Sequence, residues 1–478
     1  MKTQCHNPYL PLYEHIPDGE PHIFGDRLYI FGSHDMENGN EFCELDYVSW
    51  SAPIDDLSDW RYEGVIYQKD QDPYNKDKLP LYAPDVVQGR DGRFYLYYCI
   101  KFQDSIQVAV CDTPAGKYEF YGQVHYKDGS VMADNQPYDP SVICTEEGNY
   151  LYFGFAPCMI NIPRYMNQDL RGGSVLQLED DMITVRKGPE VIIPSLKYGR
   201  GTSFEGNEYF EGPSIRKIYG KYYLIYSSVH THQLCYAISE KPMEGFTFGG
   251  VIVSNGDVGY NGRKEEEKLM SVGNNHGGLV QVQGQWYIFY HRHTYLNQYN
   301  RQSCAEKVYF DENGHIPQVT ITTSGMNPKL LSGDASYPAV YCCNLTNGHM
   351  GALSSLGRTN LEIDFPYITC EGQERYIKNL KDGNLIGYKY INLTETGSIE
   401  IVYRTNADGV LEIYTEQNGE KKAEILLTKA EAWENAETVV SFSEEQELYL
   451  VYKGKGTLSL LTLNLKGMNA KEENNEKQ

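Results

Sequence analysis

Five stretches of the chain repeat one pattern, a tight turn followed by a strand crowded with aromatic, β-branched and aliphatic side chains. They read GDRLYIFGS from Gly25, DGRFYLYYC from Asp91, EGNYLYFGF from Glu147, YGKYYLIYS from Tyr219 and QGQWYIFYH from Gln283. Runs of this kind bounded by Gly and Asp are strand and hairpin signals. Anchored on Asp26, Gly92, Gly148, Gly220 and Gly284, the copies stand 66, 56, 72 and 64 residues apart. One such unit cannot bury its apolar faces alone, so the repeat predicts small antiparallel sheets stacked around a channel. The expected architecture over residues 1–326 is a five-bladed β-propeller. An aperiodic β-sandwich with five hairpins is the competing reading.

After Gly325 the repeat stops. The turn-rich MNPKLLSGDASYP predicts a linker at 327–336. Short alternating runs follow, among them IGYKYINL, SIEIVYRT, GVLEIYTE, ELYLVYKG and GTLSLLTLNL. Their near-regular spacing predicts a jelly-roll-like β-sandwich over 337–466. The polar GMNAKEENNEKQ predicts a disordered tail over 467–478. The chain should therefore be all-β.

Composition narrows the partners. Tyr, at 41 of 478 residues, suits strands and also suits sugar rings, but the number exceeds what one site could use. It speaks for β structure, not for a ligand. The net charge of −23 would repel nucleic acid and anionic membranes. The N-terminal MKTQCHNPYLPLYEH lacks an apolar leader, and no run approaches the ~18 apolar residues of a membrane helix. The 11 cysteines are odd in number and form no C-x-x-C pair. Thiols of that kind belong to a reducing compartment, so a cytoplasmic location is expected. No phosphate-binding glycine loop and no zinc spacing is present.

Candidate chemistry lies just upstream of each anchor. Asp18, Asp85, Asp139, Glu211 and His276 precede their turn residues by 8, 7, 9, 9 and 8 positions. In a propeller, equivalent positions on the innermost strands converge on the axis. Confined like charges repel, and at least one pKa should rise into a range useful for proton transfer. Two carboxyl groups in unlike environments are what glycoside hydrolysis needs. Asp85 is read as a turn-capping or solvated acid outside that set.

The segments carrying the other three acids are NPYLPLYEHIPDGEPHIFGDRLYIFGSHD, NQPYDPSVICTEEGNYLYFGF and EYFEGPSIRKIYGKYYLIYSS. Together they resemble the signature of glycoside hydrolase family 43, over about Asn7 to Gly325. The resemblance implies inverting hydrolysis on a five-bladed propeller. Asp18 would be the general base, Glu211 the general acid, and Asp139 the residue that raises and orients the acid. The family has Asp-Pro where this chain has Asp18-Gly19-Glu20-Pro21, so Glu20 competes for the base. Register from Gly25-Asp26 points to Asp18.

His276, in GNNHGG, corresponds to a channel histidine that could hold water or, through water, a structural Ca2+; no cofactor is otherwise required. Imidazole itself is a poor calcium ligand. Arg301 could reach a sugar hydroxyl or stand as a surface charge. Tyr82, Tyr138 and Phe210 flank the acids and offer either an apolar wall for a pentose or plain packing. GYKYINLTETGSIEIVYRT and LYLVYKGKGTLSLLTL resemble a family 6 carbohydrate-binding module, with Trp433 as one aromatic candidate. The late Asn of such modules has no obvious counterpart, which turns the reading toward packing against the first domain.

The expected activity is exo-acting: an α-L-arabinofuranosidase removing terminal arabinose from short plant cell-wall oligosaccharides, with β-xylosidase as the alternative. A non-catalytic sugar-binding propeller is the rival from another class, and three intact acids speak against it. A propeller phosphorylase would need a basic phosphate pocket, and no Arg or Lys cluster adjoins the acids. Oligomeric state stays open.

Overall fold

A computed structural model describes residues 4–157, 168–350 and 364–468. It is all-β, and each sequence repeat supplies the second strand of one sheet. The first sheet is Glu20–Phe24, Arg27–Phe31, Tyr47–Pro53 and Arg61–Tyr67, and the second is Leu81–Gln88, Phe94–Ile100, Ile106–Cys111 and Glu119–Gln123. The third comprises Ser141–Thr145, Gly148–Phe153, Gly172–Leu178 and Val185–Pro194. Tyr209–Ile218, Lys221–Ser228, Leu234–Ser239 and Thr247–Val253 make the fourth. The fifth has three strands, Leu279–Val282, Gln285–His293 and Arg301–Val308.

The crowding of the repeat has a direct cause. In Phe94–Ile100, Phe94, Leu96 and Tyr98 pack against the first sheet, while Tyr95, Tyr97 and Cys99 pack against the third. Side chains alternate faces along a strand, so a strand buried on both faces reads as a continuous apolar run. Tyr fills these inter-sheet layers because its ring packs while its hydroxyl finds a partner at the layer's edge. Tyr97 donates to Met182 O at 2.6 Å, and Tyr226 to Asn207 O at 2.6 Å. Apolar clusters join sheets one to two, two to three, three to four, four to five and five back to one. The circle is sealed by the N-terminal segment. Asn7 N donates to Thr323 O at 2.8 Å and Tyr9 N to Ser303 O at 3.2 Å. The Asn7 side chain bonds Glu306 and the Ala305 amide.

Two further sheets follow. Tyr367–Glu371, Glu374–Leu380, Leu458–Gly467, Thr396–Thr405 and Ala430–Val439 form one, with Ala335–Pro338 also paired to Leu458–Gly467. Asn344–Thr346, Leu385–Lys389, Glu447–Gly454, Gly409–Tyr414 and Ala423–Leu427 form the other. One apolar cluster draws on both, with Ile399, Ile401 and Leu463 from the first and Leu411, Ile413 and Leu450 from the second.

Segment 327–336, expected as a linker, is no loose tether. Leu331 is fully buried, its amide bonds Tyr390 O, and Ala335 already begins a strand. Arg292 of the fifth sheet donates to Val340 O and Cys342 O at 2.7 and 2.8 Å, so the connection is bolted down from the first half. Of the expected tail, residues 469–478 lie outside the described residues.

Candidate active site

The first strands of the five sheets lie side by side around the axis. A Gly19–Gly277 bridge joins the first to the fifth, and Arg216 Nε bonds Leu279 O at 2.7 Å between the fourth and fifth. Asp18, Asp139 and His276 sit just before their strands and Glu211 near the start of its own, which brings them to one end of the circle. Asp18 and Asp139 adopt left-handed backbone, φ 57° and 49°. Asp is among the few non-glycine residues that tolerate this region.

Asp139 and Glu211 are tied together. The Gly212 amide, next to Glu211, donates to Asp139 Oδ2 at 3.2 Å. Gly212 is required there: at φ 65°, an added Cβ would stand 2.9 Å from the His276 ring. Burial, and then the charge of Asp18, push the Asp139 carboxyl up to about 7 against the pull of His276. Burial, Asp139 and Asp18 push Glu211 well above the usual carboxylate range. Glu211 remains half-exposed, whereas Asp18 and Asp139 are buried.

Asp18 has a different environment. Arg301 Nη1 donates to both its oxygens at 3.1 Å. The Asp18 amide donates to His291 Nδ1 at 3.3 Å. His291 Nε2 faces Asn274 O at 2.8 Å, so that nitrogen carries the proton and Nδ1 is the acceptor. Burial, with the Arg301 charge, holds His291 neutral by pushing its pKa well down. Arg301 itself is 2% exposed. Its Nε and Nη2 fork onto Asp35 at 2.8 and 2.9 Å. Arg301 is therefore no surface charge, and two carboxylates hold its guanidinium beside Asp18.

One layer deeper stands a second polar set. Glu20 is fully buried and bonded to Ser214 at 3.0 Å and Arg216 at 2.8 Å. Burial works to raise its pKa, but Arg216 and His276 outweigh it and hold the carboxyl down at about 2. That removes Glu20 as a base in contact with sugar. Asp85 belongs to this layer, contrary to both expectations for it. It accepts from His22 at 2.6 Å, from Ser141 at 3.2 Å and from the Val142 amide at 2.8 Å. The turn between Gln88 and Phe94 is longer than that between Phe24 and Arg27, so Asp85 stands only three residues before the last ladder pair at Gln88, whereas Asp18 stands six before Phe24.

His276 is buried, with Nε2 3.6 Å from Glu20 Oε1. Burial alone would lower its pKa; the Glu20, Asp139 and Asp18 carboxylates outweigh that and raise it to about 9. Glu20, His22 and Asp85 offer ligand atoms within 4.8 Å of one another. As a calcium cage the set fits poorly. The Arg216 guanidinium holds a fixed positive charge on Glu20, Asp85 already accepts four hydrogen bonds, and Ca2+ wants six to eight oxygens.

Beside the acids runs an aromatic wall. Tyr82 and Tyr138 lie 5.5 Å apart between ring centres, Tyr138 and Phe155 4.9 Å, Phe155 and Phe210 5.6 Å, and Phe210 and His232 4.5 Å. All five are half-buried, as a wall for an apolar sugar face would be. Burial lowers His232 to about 4, so it stands neutral in that wall. Trp433 lies on the strand Ala430–Val439 of the later sheets. It stacks on Arg404 at 4.3 Å and donates to Glu374 at 2.8 Å.

Phe155, His232, Asp35 and His291 did not emerge from the sequence reading. Asp35 and Phe155 lie just past repeat strands, in GSHD and FGF, and His291 lies near the end of another, in FYH.

The like-charge contact sets a test. Asp139→Asn should move the alkaline limb of kcat/KM down by about one pH unit, since Glu211 loses a repelling neighbour. Retained turnover with an unshifted limb would contradict the tuning. Stability gives the second reading. A carboxyl raised in the folded state stabilises below its unfolded pKa and loses that contribution as pH rises through the folded one. For Asp139 the window runs from 3.8 to about 7. Relative to the parent, the Asn variant should therefore gain Tm at pH 8 and not at pH 4.

A family model for glycosyl hydrolases family 43 matches residues 25–316. A xylosidase/arabinosidase of Thermoclostridium stercorarium is 45% identical over 477 residues, 97% of this chain and 99% of the relative. One of Bacteroides ovatus is 29% identical over 61% of this chain and 89% of its own. Among solved structures, a GH43 enzyme of Xanthomonas citri complexed with xylose shares the fold. It superposes with a TM-score of 0.53 at 23% identity, over 68% of this chain and 95% of that one.

Proposed function

The chain belongs to family 43 of the glycosyl hydrolases, and from that membership we propose that Asp18, Glu211 and Asp139 carry out pentoside hydrolysis with inversion. The enzyme is a glycoside hydrolase of the xylosidase/arabinosidase kind. Within that pair, α-L-arabinofuranosidase action on terminal arabinose is the first reading and β-xylosidase the second. The five sheets are read as five propeller blades and the two that follow as a β-sandwich. Engagement of Trp433 by Arg404 and Glu374 supports a packing role for that sandwich over sugar binding. A cytoplasmic location is supported by the described cysteines being free thiols, and it suits short oligosaccharides as substrates.

The observation that carries the mechanism is the contrast between carboxyl environments. Asp18 is gripped by a guanidinium, while Asp139 and Glu211 are pushed toward their neutral forms. In this reading Glu211 protonates the leaving oxygen while Asp18 takes a proton from the attacking water. Arg301 fixes the orientation of Asp18, and Asp139, bonded to the Gly212 amide, keeps Glu211 raised and aimed. Water bonds to the anomeric carbon on the face opposite the departing oxygen, which leaves with the bonding pair and the proton from the acid, so the base and the acid act on opposite sides of the sugar.

Proton NMR of the first-formed sugar, taken before mutarotation, tests this reading. Aryl arabinofuranoside, xyloside and galactoside should be compared in parallel. An inverted anomer from a pentoside is expected; a retained anomer or a trapped glycosyl-enzyme rejects the mechanism.

A further inference from the structure

Arg375 stands on the strand Glu374–Leu380, in the second half of the chain, yet its guanidinium is committed to the first half. Nε donates to Glu37 Oε1 at 2.9 Å and Nη2 to Glu37 Oε2 at 2.7 Å, a two-point fork that fixes direction as well as distance. The two side chains keep 12% and 21% of their exposure, so solvent screens the pair far less than a surface pair. Tyr295 completes the contact. Its hydroxyl bonds Glu37 Oε1 at 3.0 Å, and its amide bonds Ile368 O, in the same late sheet, at 2.8 Å.

Glu37 lies in segment 33–46, which links the second and third strands of the first sheet. That segment builds the cradle of Arg301. Asp35 takes the guanidinium fork, the Cys43 amide bonds Asp35 Oδ1 at 3.0 Å, and Arg301 lies 4.9 Å above the Phe42 ring. From the far side, Asn297 and Asn300 reach Gly39 O at 3.4 and 3.3 Å. The path from Arg375 to Asp18 thus runs by contact to Glu37, along the backbone to Asp35, and by contact again through Arg301 to Asp18.

We propose that Arg375 is a positioning residue for hydrolysis, by which the C-terminal sheets clamp segment 33–46 and hold Arg301 and Asp18 in place. This rests on the function proposed above and gives the second half of the chain a part in catalysis. A displaced base loses rate steeply, because a misplacement of about 1 Å can cost about 10²-fold. Arg375 touches neither the acid nor the aromatic wall, so its effect falls on kcat rather than on KM.

Arg375→Ala, Arg375→Lys, Glu37→Ala and the double alanine variant of the full chain test the clamp, with kcat, KM and Tm measured on an aryl pentoside. Arg375→Ala should lower kcat about tenfold and leave KM within about twofold. Lys keeps the charge but not the fork, and should recover part of the loss. The double variant should be no slower than the slower single one. Hydrogen exchange supplies a reading independent of turnover: the Asp35 and Cys43 amides should exchange faster in Arg375→Ala than in the parent. Unchanged kcat, multiplicative losses in the double variant, or unchanged exchange would overturn the clamp. Should Arg375→Ala not fold, Arg375→Lys and Glu37→Gln carry the same comparisons. A parent that cleaves no pentoside refutes the proposed function, while the exchange experiment still decides the clamp.

Discussion

Glu211→Gln is expected to cut kcat by about 10³-fold for oligosaccharides, and far less for aryl pentosides whose leaving groups depart without a proton. The reason lies in where the proton sits before reaction. Burial and the charges of Asp139 and Asp18 keep Glu211 well above the ordinary carboxylate range, so it is loaded near neutral pH. Gln preserves shape, and the bulged strand Tyr209–Ile218 does not depend on the side-chain charge. A series of aryl pentosides of rising leaving-group pKa should show a dependence much steeper in the variant than in the parent. Equal losses across the series would remove Glu211 from the acid's role.

Asp18→Asn is expected to lose at least about 10³-fold in kcat whatever the leaving group, because water activation is needed in every case. Asn also tolerates left-handed backbone, so φ 57° at this position does not forbid the exchange. Arg301 keeps its fork on Asp35, so the buried guanidinium is not stranded. Glu20→Gln makes the informative comparison. It should retain most of its turnover yet lose about 3–5 kcal/mol of stability, since Arg216 then faces a neutral amide in a buried site. Thermal unfolding and kcat measured on both variants separate the two effects. Turnover lost at Glu20 and kept at Asp18 would reverse the assignment of the base.

The parts of the fold legible in the chain are those where burial leaves a pattern. The five repeat strands stood out because both faces are covered, as Phe94–Ile100 shows. The alternation in Thr396–Thr405 marked a strand with one face buried. What depends on turn length was not legible. Part of the seven-residue offset of Asp85 is spent in the longer turn between Gln88 and Phe94, so counting back from the turn set it one layer too high. The segments of Asp139 and Glu211 stood out through the steps Asp139-Pro140 and Glu211-Gly212-Pro213, the second of which lies in the bulge of Tyr209–Ile218. Asp35 and His291 did not, because Asp35 enters the site through Arg301 and His291 through the Asp18 amide, contacts that only the folded chain makes. Its Pro, Ser and Gly made 327–336 look like a linker, when Leu331, the second of its two leucines, is an anchor.

The contacts of Asn7 have a consequence for biosynthesis. Its partners lie about 300 positions later in the chain, the farthest at Thr323. At about 5–20 residues per second, a ribosome needs roughly 15–60 s to travel that distance. Throughout that interval the first sheet waits, with the apolar face it will share with the fifth sheet, including Leu28, Ile30 and Trp50, still uncovered. A chaperone that shields nascent aromatic surface would have its longest engagement here. Slowing translation ahead of residue 323 should lengthen the exposure and lower the soluble yield, without altering a single contact in the finished protein.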